Sequence, residues 1–404
     1  MTTLTLDERA SIPRALTTFS SVVGFYLAFR LVAVVISVRL LDADPQIGVV
    51  ASLALNYTML VAAAFLSFGP GLRAYSWFFP LWSFRWSLAF LLFSGCSLLW
   101  TSTASLSAAT AFWCAMACDF FTVIMLLRIG SIDETVSGLM SGYVWGACAI
   151  AFIAWILPSQ SDLRLGDEDY LGPNQIGYAC AFAVFLAQYL MRRGEKGFAI
   201  PALLLAVTLL RSLSKTTLIA FVAGQALLLF RDRSLSRRAK FYISVSVVLA
   251  VAVFWGLLTA YYDVYTHAGN QSETLTGRLG IWAYILNEAI QQPWIGHGFH
   301  SVWKVIPPFG PFEARHAHNE LLQQFYAYGA AGVAMLTALY WSVYREIRKI
   351  HESSLKTLFF AMLLFVLVRG FADTEVFDLS LPLWAIALIG STVINQKNGI
   401  EAHV

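Results

Sequence analysis

Apolar residues in this 404-residue chain gather into long blocks, and polar residues gather into the connections between them. Alternating apolar and polar positions over about ten residues, the mark of a transmembrane barrel strand, do not occur. A bilayer core of about 30 Å needs roughly 20 apolar residues per helix. The blocks predict twelve spans, near residues 16–38, 47–68, 86–101, 105–127, 137–157, 174–191, 198–212, 214–230, 241–262, 319–343, 355–371 and 379–395. Those at 86–101 and 198–212 are short for a straight crossing. The pattern therefore predicts an all-α polytopic membrane protein with about twelve transmembrane helices.

The longest polar stretch, 263–318, separates the ninth and tenth spans and divides the chain into 1–262 (spans one to nine), 263–318 (one large loop) and 319–404 (spans ten to twelve). This loop carries Trp282, Trp294, Phe299, Trp303, Phe309 and Phe312, which disordered segments avoid. It is expected to form a cap with short interfacial helices. Thr276 is a fitting N-cap for one of them, with apolar positions at Leu279, Trp282, Ile285, Leu286, Ala289 and Ile290 and a stop at Pro293. A smaller loop at 158–173 is acidic, with Asp162, Asp167, Glu168 and Asp169. No convincing internal repeat, of the kind on which many transporters are built, is present.

Composition narrows the class. The chain is 58% apolar and 13% charged, outside the range of soluble globular, disordered or coiled-coil proteins. Placing both termini in the cytoplasm puts 18 of the 27 Lys and Arg residues inside and 8 outside, with Arg30 within the first span. That orientation puts the large loop on the outer side of the membrane. The N-terminus is expected to carry no cleavable signal, because a polar stretch precedes the first span and the span lacks a small-residue cleavage site. The net charge of +3 is a sided distribution, so nucleic acid is not an expected partner. All five cysteines fall within spans, which argues against disulfides or a cysteine metal site in the loop.

The scarce ionisable residues carry the functional information. Five of seven histidines, His267, His297, His300, His316 and His318, lie in the large loop. Loops collect polar residues for solubility alone, which suffices for the first three. His316 and His318 abut the tenth span in Arg315-His316-Ala317-His318-Asn319-Glu320. The positive end of a helix dipole disfavours imidazolium there and leaves a neutral ring suited to general-base work. Two histidines two apart also suit a metal, with Glu313 and Glu320 nearby. However, no Asp-x-Asp pair, His-Glu-x-x-His motif or cysteine accompanies them, so no metal and no cofactor are expected.

Cations on the outer side form a second group. Arg211 and Lys215 flank the short turn Arg211-Ser212-Leu213-Ser214-Lys215, Arg278 opens the interfacial helix, Arg315 precedes the histidines, and Arg369 ends the eleventh span. Singly, each is explained by snorkelling to lipid headgroups. As a convergent set they suit a phosphate or diphosphate. Within the membrane, Arg30 and Asp119 are either a structural ion pair or part of an ion path, and two residues are few for a path.

Several runs carry a resemblance. Leu275-Thr276-Gly277-Arg278-Leu279-Gly280-Ile281-Trp282, Pro293-Trp294-Ile295-Gly296-His297-Gly298-Phe299 and His318-Asn319-Glu320-Leu321-Leu322-Gln323, followed by Gly329 and Gly332, resemble the O-antigen ligase and O-antigen polymerase superfamily. Tyr170-Leu171-Gly172-Pro173-Asn174-Gln175 resembles its Gly-x-x-Asn element, and Arg211-Ser212-Leu213-Ser214-Lys215-Thr216 its Ser-Arg/Lys turn. The motifs cover about 165–345.

The resemblance implies a GT-C-like glycosyltransferase architecture in the bacterial inner membrane, with its active site on the periplasmic face. It implies a metal-independent, inverting transfer of a glycan from an undecaprenyl diphosphate donor to a lipid A–core sugar hydroxyl. The carried-over base is His318, and Arg278 is the second catalytic residue, meeting the diphosphate. Arg211, Lys215 and Arg315 would hold the diphosphate with it, with His316, Asn319, Asn174 and Arg369 as secondary candidates. Lys215 stands where the family often has Arg, giving charge without a bidentate fork. A monomer or weak oligomer among membrane lipids is expected. A polymerase or a protein O-oligosaccharyltransferase shares this chemistry with another acceptor, and a transporter is the alternative outside the class. One large loop and a short C-terminal end favour ligase.

Overall fold

The computed structural model describes residues 6–67, 73–158, 164–167, 169–231, 236–253, 275–303, 316–375 and 379–401, with isolated helical positions between 255 and 263. Side chains of 6–15, 275–277 and 397–401 lie outside that description, as does the whole of Arg315. Secondary structure among the described residues is helical, apart from a β-bridge between Asp167 and Leu171. In chain order the helices are α1 (Leu6–Phe29), α2 (Pro45–Leu66), α3 (Trp82–Cys96), α4 (Leu106–Ile129), α5 (Ile132–Ile156), α6 (Pro173–Arg192) and α7 (Ala199–Arg211). They continue with α8 (Lys215–Arg231), α9 (Arg237–Val253), α10 (Leu275–Ala289), α11 (Glu320–Ile347), α12 (Ser353–Gly370) and α13 (Leu383–Glu401).

Among the described residues, five helical stretches are long and apolar enough to cross a membrane: Leu16–Leu40, Pro45–Leu66, Trp82–Leu99, Leu106–Ile129 and Ile132–Ile156. This is a multi-pass membrane protein. The first stretch extends α1 through a 3-10 turn at Arg30–Val32 and a π turn at Ile36–Leu40. The block expected at 198–212 forms α7, whose 13 residues reach about 20 Å, short of a straight crossing.

Local chemistry sets the helix starts. Asp44 caps α2 by accepting the Gln46 N–H at 2.7 Å, with Pro45 in the first turn. Ser105 caps α4, and Asn319 caps α11 by accepting the Leu322 N–H at 3.0 Å. Close helix contacts are set by small residues. Gly138, Gly142 and Gly146 repeat at intervals of four along α5, and a Cβ at Gly142 would overlap the Ser21 carbonyl of α1. Gly24 of α1 meets the Leu139 backbone in the same way. Such a stripe lets two backbones pack where lipid gives no hydrophobic drive. Further along α1, Arg30 forms an ion pair with Asp119 of α4, so the two intramembrane charges neutralise one another.

Two features position the upper end of the bundle. First, α6 is buried on nearly every face and packs against α5, α7, α8 and α12. Second, α11 is broken at Gly329, which takes φ 61° and ψ −157°. At the break the segment 293–298 docks: His297 N–H donates to the Tyr326 carbonyl at 2.9 Å and Gly298 N–H to Ala327 at 2.7 Å. In return, Ala330 N–H donates to Pro293 at 2.7 Å and Ala331 N–H to Trp294 at 3.1 Å. The backbone groups freed by the kink are thus satisfied by the loop. A span expected to be one continuous helix is a broken one, and the break fastens the loop to the core.

Candidate functional site

His318 sits at the head of α11 with φ +49° and is 4% exposed. A positive φ at histidine is strained, and such strain gathers at functional positions. The segment His316-Ala317-His318 is pinned along its length. Ala317 N–H donates to Gln323 Oε1 at 2.8 Å, and Trp282 Nε1 donates to the Ala317 carbonyl at 3.0 Å. Through Trp282, α10 clamps the histidines. Its inner face, Ile281, Ile285 and Ala289, packs with Val302, Ala317 and Tyr326, while Leu279, Leu286 and Ile290 are exposed. The apolar stripe read from the sequence is therefore split between two faces.

His318 Nδ1 lies 3.4 Å from Asp373 Oδ1, and Asp373 Oδ2 lies 3.0 Å from the Arg369 guanidinium. Arg369 also pairs with Glu375 at 2.9 Å, and its Cζ stands 4.4 Å over the Tyr178 ring of α6. Burial alone would raise the Asp373 carboxyl. The Arg369 guanidinium and the hydrogen bond from His318 outweigh it and hold the carboxyl well below the ordinary range. Burial keeps Glu375 above its ordinary value despite Arg369. Arg369, expected as a secondary phosphate ligand, is 1% exposed and taken up by these carboxylates. It anchors Asp373 instead.

His316 Nδ1 accepts the His318 backbone N–H at 3.1 Å, which assigns the proton of the neutral ring to Nε2. Burial first, then the charges of His318, Arg369 and Arg278, holds this imidazole well below its ordinary value. His316 Nε2, His318 Nδ1 and an Asp373 oxygen all lie within 4.8 Å of one another, a spacing that suits a metal ion. The tautomers oppose that use. His316 Nε2, 4.0 Å from Asp373 Oδ1, carries its ring's proton, and His318 Nδ1 faces the same oxygen at 3.4 Å, whereas ligation needs lone pairs there. A proton on His318 Nδ1, toward the Asp373 carboxylate, leaves Nε2 as that ring's acceptor nitrogen.

Arg278 lies beside this group and is 7% exposed. Its Nη1 donates to Thr216 Oγ1 of α8 at 3.0 Å and to the Ala372 carbonyl next to Asp373. Its Nε has no hydrogen-bond partner among the described residues. Arg211 and Lys215 close a turn on which Leu213 takes φ +54°. Ser214 donates to Asn174 Oδ1 at 2.8 Å, so Asn174 braces this turn from α6. Asn319, besides capping α11, donates from Nδ2 to the Phe371 carbonyl at 2.9 Å. Asn174 and Asn319 act as struts.

The O-antigen ligase family matches residues 200–337. Through this region the chain is similar to the O-antigen ligase family. It is also 25% identical over 280 residues to the exopolysaccharide production protein ExoQ of Rhizobium meliloti (strain 1021), covering 63% of this chain. The chain spans about 63% of that relative's length. The O-antigen ligase match takes in Arg211, Lys215, Arg278, Arg315, His316, His318 and Asn319. Asp373, Glu375, Tyr178 and Thr216 were missed by sequence reasoning. The one available signal was the spacing of Arg369 and Asp373, an i, i+4 pair just past the end of a span.

Proposed function

We propose that this protein is an O-antigen ligase, transferring a glycan from undecaprenyl diphosphate to a sugar hydroxyl of lipid A–core. The observation that carries this reading is the buried pair of His318 and Asp373 beside Arg278. In the proposed topology twelve spans cross the bacterial inner membrane with both termini cytoplasmic. Residues 1–262 and 319–404 form the spans, and 263–318 is the periplasmic loop that, with the heads of α11 and α8, builds the site.

The chemistry follows from the tautomer. His318 donates Nδ1–H to Asp373, and its Nε2 takes the proton of the acceptor hydroxyl. The hydroxyl oxygen forms its bond to the anomeric carbon as the bond from that carbon to the diphosphate oxygen breaks. The electron pair leaves with the diphosphate, and the anomeric configuration inverts. Asp373, kept ionised, stabilises the imidazolium that forms. Arg278 receives charge developing on the diphosphate, with Arg211, Lys215 and Arg315 holding its phosphates. No metal takes part.

The name of the ExoQ relative, a protein of exopolysaccharide production, favours a second acceptor within the same chemistry, a growing glycan as in a polymerase. The test is purified protein with undecaprenyl-diphosphate glycan and separate lipid A–core, glycan and peptide acceptors. Transfer to lipid A–core alone supports ligase, and transfer to glycan alone replaces it with polymerase. Transfer to none removes the glycosyltransferase reading.

A further inference from the structure

A cleft lies between the loop residues 299–303 and the bundle. His300 and Trp303 form one wall, and Gln323, Gln324 and Tyr328 of α11 form the other, with Phe90 of α3 below. Its empty volume, open in part to solvent, is about 430 Å³. Three observations give it a chemical character. Gln324 is 4% exposed, and its Oε1 accepts no hydrogen bond among the described residues. A buried acceptor of this kind calls for a donor from a ligand or a water. His300 is held at φ +67°, its Nδ1 is 2.8 Å from Thr103 Oγ1, and its ring lies 5.7 Å from Phe112 and 4.9 Å from Trp303. Trp303 adds an aromatic wall with a polar edge. An amide, an imidazole and an indole around an open cleft suit the hydroxyl-bearing edge of a pyranose.

The cleft is one residue from the proposed base, because Gln323 also accepts the Ala317 N–H beside His318. An inverting displacement brings the acceptor in from the side opposite the leaving diphosphate, so the acceptor needs a subsite of its own within reach of the base. We propose that this cleft binds the acceptor sugar, with Gln324 accepting a hydrogen bond from one of its hydroxyls and Trp303 covering a ring face. This rests on the ligase reading of His318 and Arg278.

Steady-state transfer would be measured for Gln324→Leu, Trp303→Ala and Trp303→Phe, varying lipid A–core and donor in turn. Binding of delipidated core oligosaccharide would be followed by calorimetry. The expected result for Gln324→Leu and Trp303→Ala is an acceptor KM raised about tenfold, the worth of one lost hydrogen bond. The donor KM stays at the wild-type value, which also reports an intact fold, and Trp303→Phe recovers most of the loss. An unchanged acceptor KM in folded variants, or a rise in donor KM instead, overturns the subsite while wild-type transfer upholds the ligase reading. If the wild type transfers nothing yet binds the oligosaccharide in a Gln324-dependent way, the ligase reading falls and the sugar site stands. If it neither transfers nor binds, both fall.

Discussion

Asp373 faces His318 Nδ1 with one carboxylate oxygen, at 3.4 Å, and Arg369 with the other, at 3.0 Å. In the proposed mechanism this pairing keeps the proton on Nδ1 and leaves Nε2 to act as base. Asp373→Asn keeps the shape and reverses the hydrogen bond, which puts the wrong tautomer in place. Transfer should fall by about 10³–10⁴, while the protein still accumulates in the membrane. Near-normal transfer by that variant would leave His318 without a role for its partner and sink the dyad.

Arg278 is asked to do two things, to tie α10 to α8 and Ala372 and to meet developing phosphate charge. Arg278→Ala should lower kcat by about 100-fold or more, as for other fixed donors to a developing anion. Arg278→Lys restores charge without the planar fork and should recover only part. Full recovery by Lys would show that a point charge suffices and that the bonds to Thr216 and Ala372 are incidental.

The parts that follow from period and composition were legible in the sequence. Apolar blocks announce helices because lipid tolerates little else, and the head of α11 was marked by His318-Asn319-Glu320. What depended on distant segments meeting was not legible. Asp373 stands 55 positions beyond His318, in a short polar turn that looked like a connection. Gly329 and Gly332 were noted as a motif, but nothing local said that Gly329 would break α11 to receive residues 293–298. Arg369 looked like an outer cation, since a sequence shows charge and hides the carboxylates that use it. Arg315, expected beside the phosphates, lies outside the described residues.

Acid should loosen the region around the cleft. Burial lowers His300 from its ordinary 6.5 to about 4, so between these values the unfolded chain binds a proton that the folded one refuses. Stability from this group is complete above about pH 6.5 and is lost as pH falls toward 4. His316, lowered well below its ordinary value, acts in the same direction. Thermal unfolding in detergent should show a midpoint that drops from pH 7 to pH 5, and His300→Gln should reduce the slope. An unaltered slope would mean that His300 is not held neutral.

The break in α11 makes a separate demand on Gly329. At φ 61° and ψ −157° a side chain is disfavoured, and a Cβ there would press on the Trp294 backbone. Gly329→Ala should cost about 1–3 kcal/mol and free the loop at residues 293–298 from its four hydrogen bonds. Hydrogen exchange at His297 and Gly298 should accelerate ahead of the rest of the bundle. Equal protection in the variant and the wild type would mean that the docking does not depend on the kink.

Metal dependence separates two uses of one cluster. His316, His318 and Asp373 are close enough to hold an ion, yet the His318 backbone N–H occupies His316 Nδ1 and fixes its other nitrogen as a donor. To ligate, His316 must give up that bond and change tautomer, in a pocket where Arg369 and Arg278 already supply positive charge. Dialysis against a chelator should therefore leave the rate of transfer unchanged, and added zinc should not raise it. If chelation abolished transfer and a divalent ion restored it, the cluster would be a metal centre, and His318 would be a ligand in place of the base.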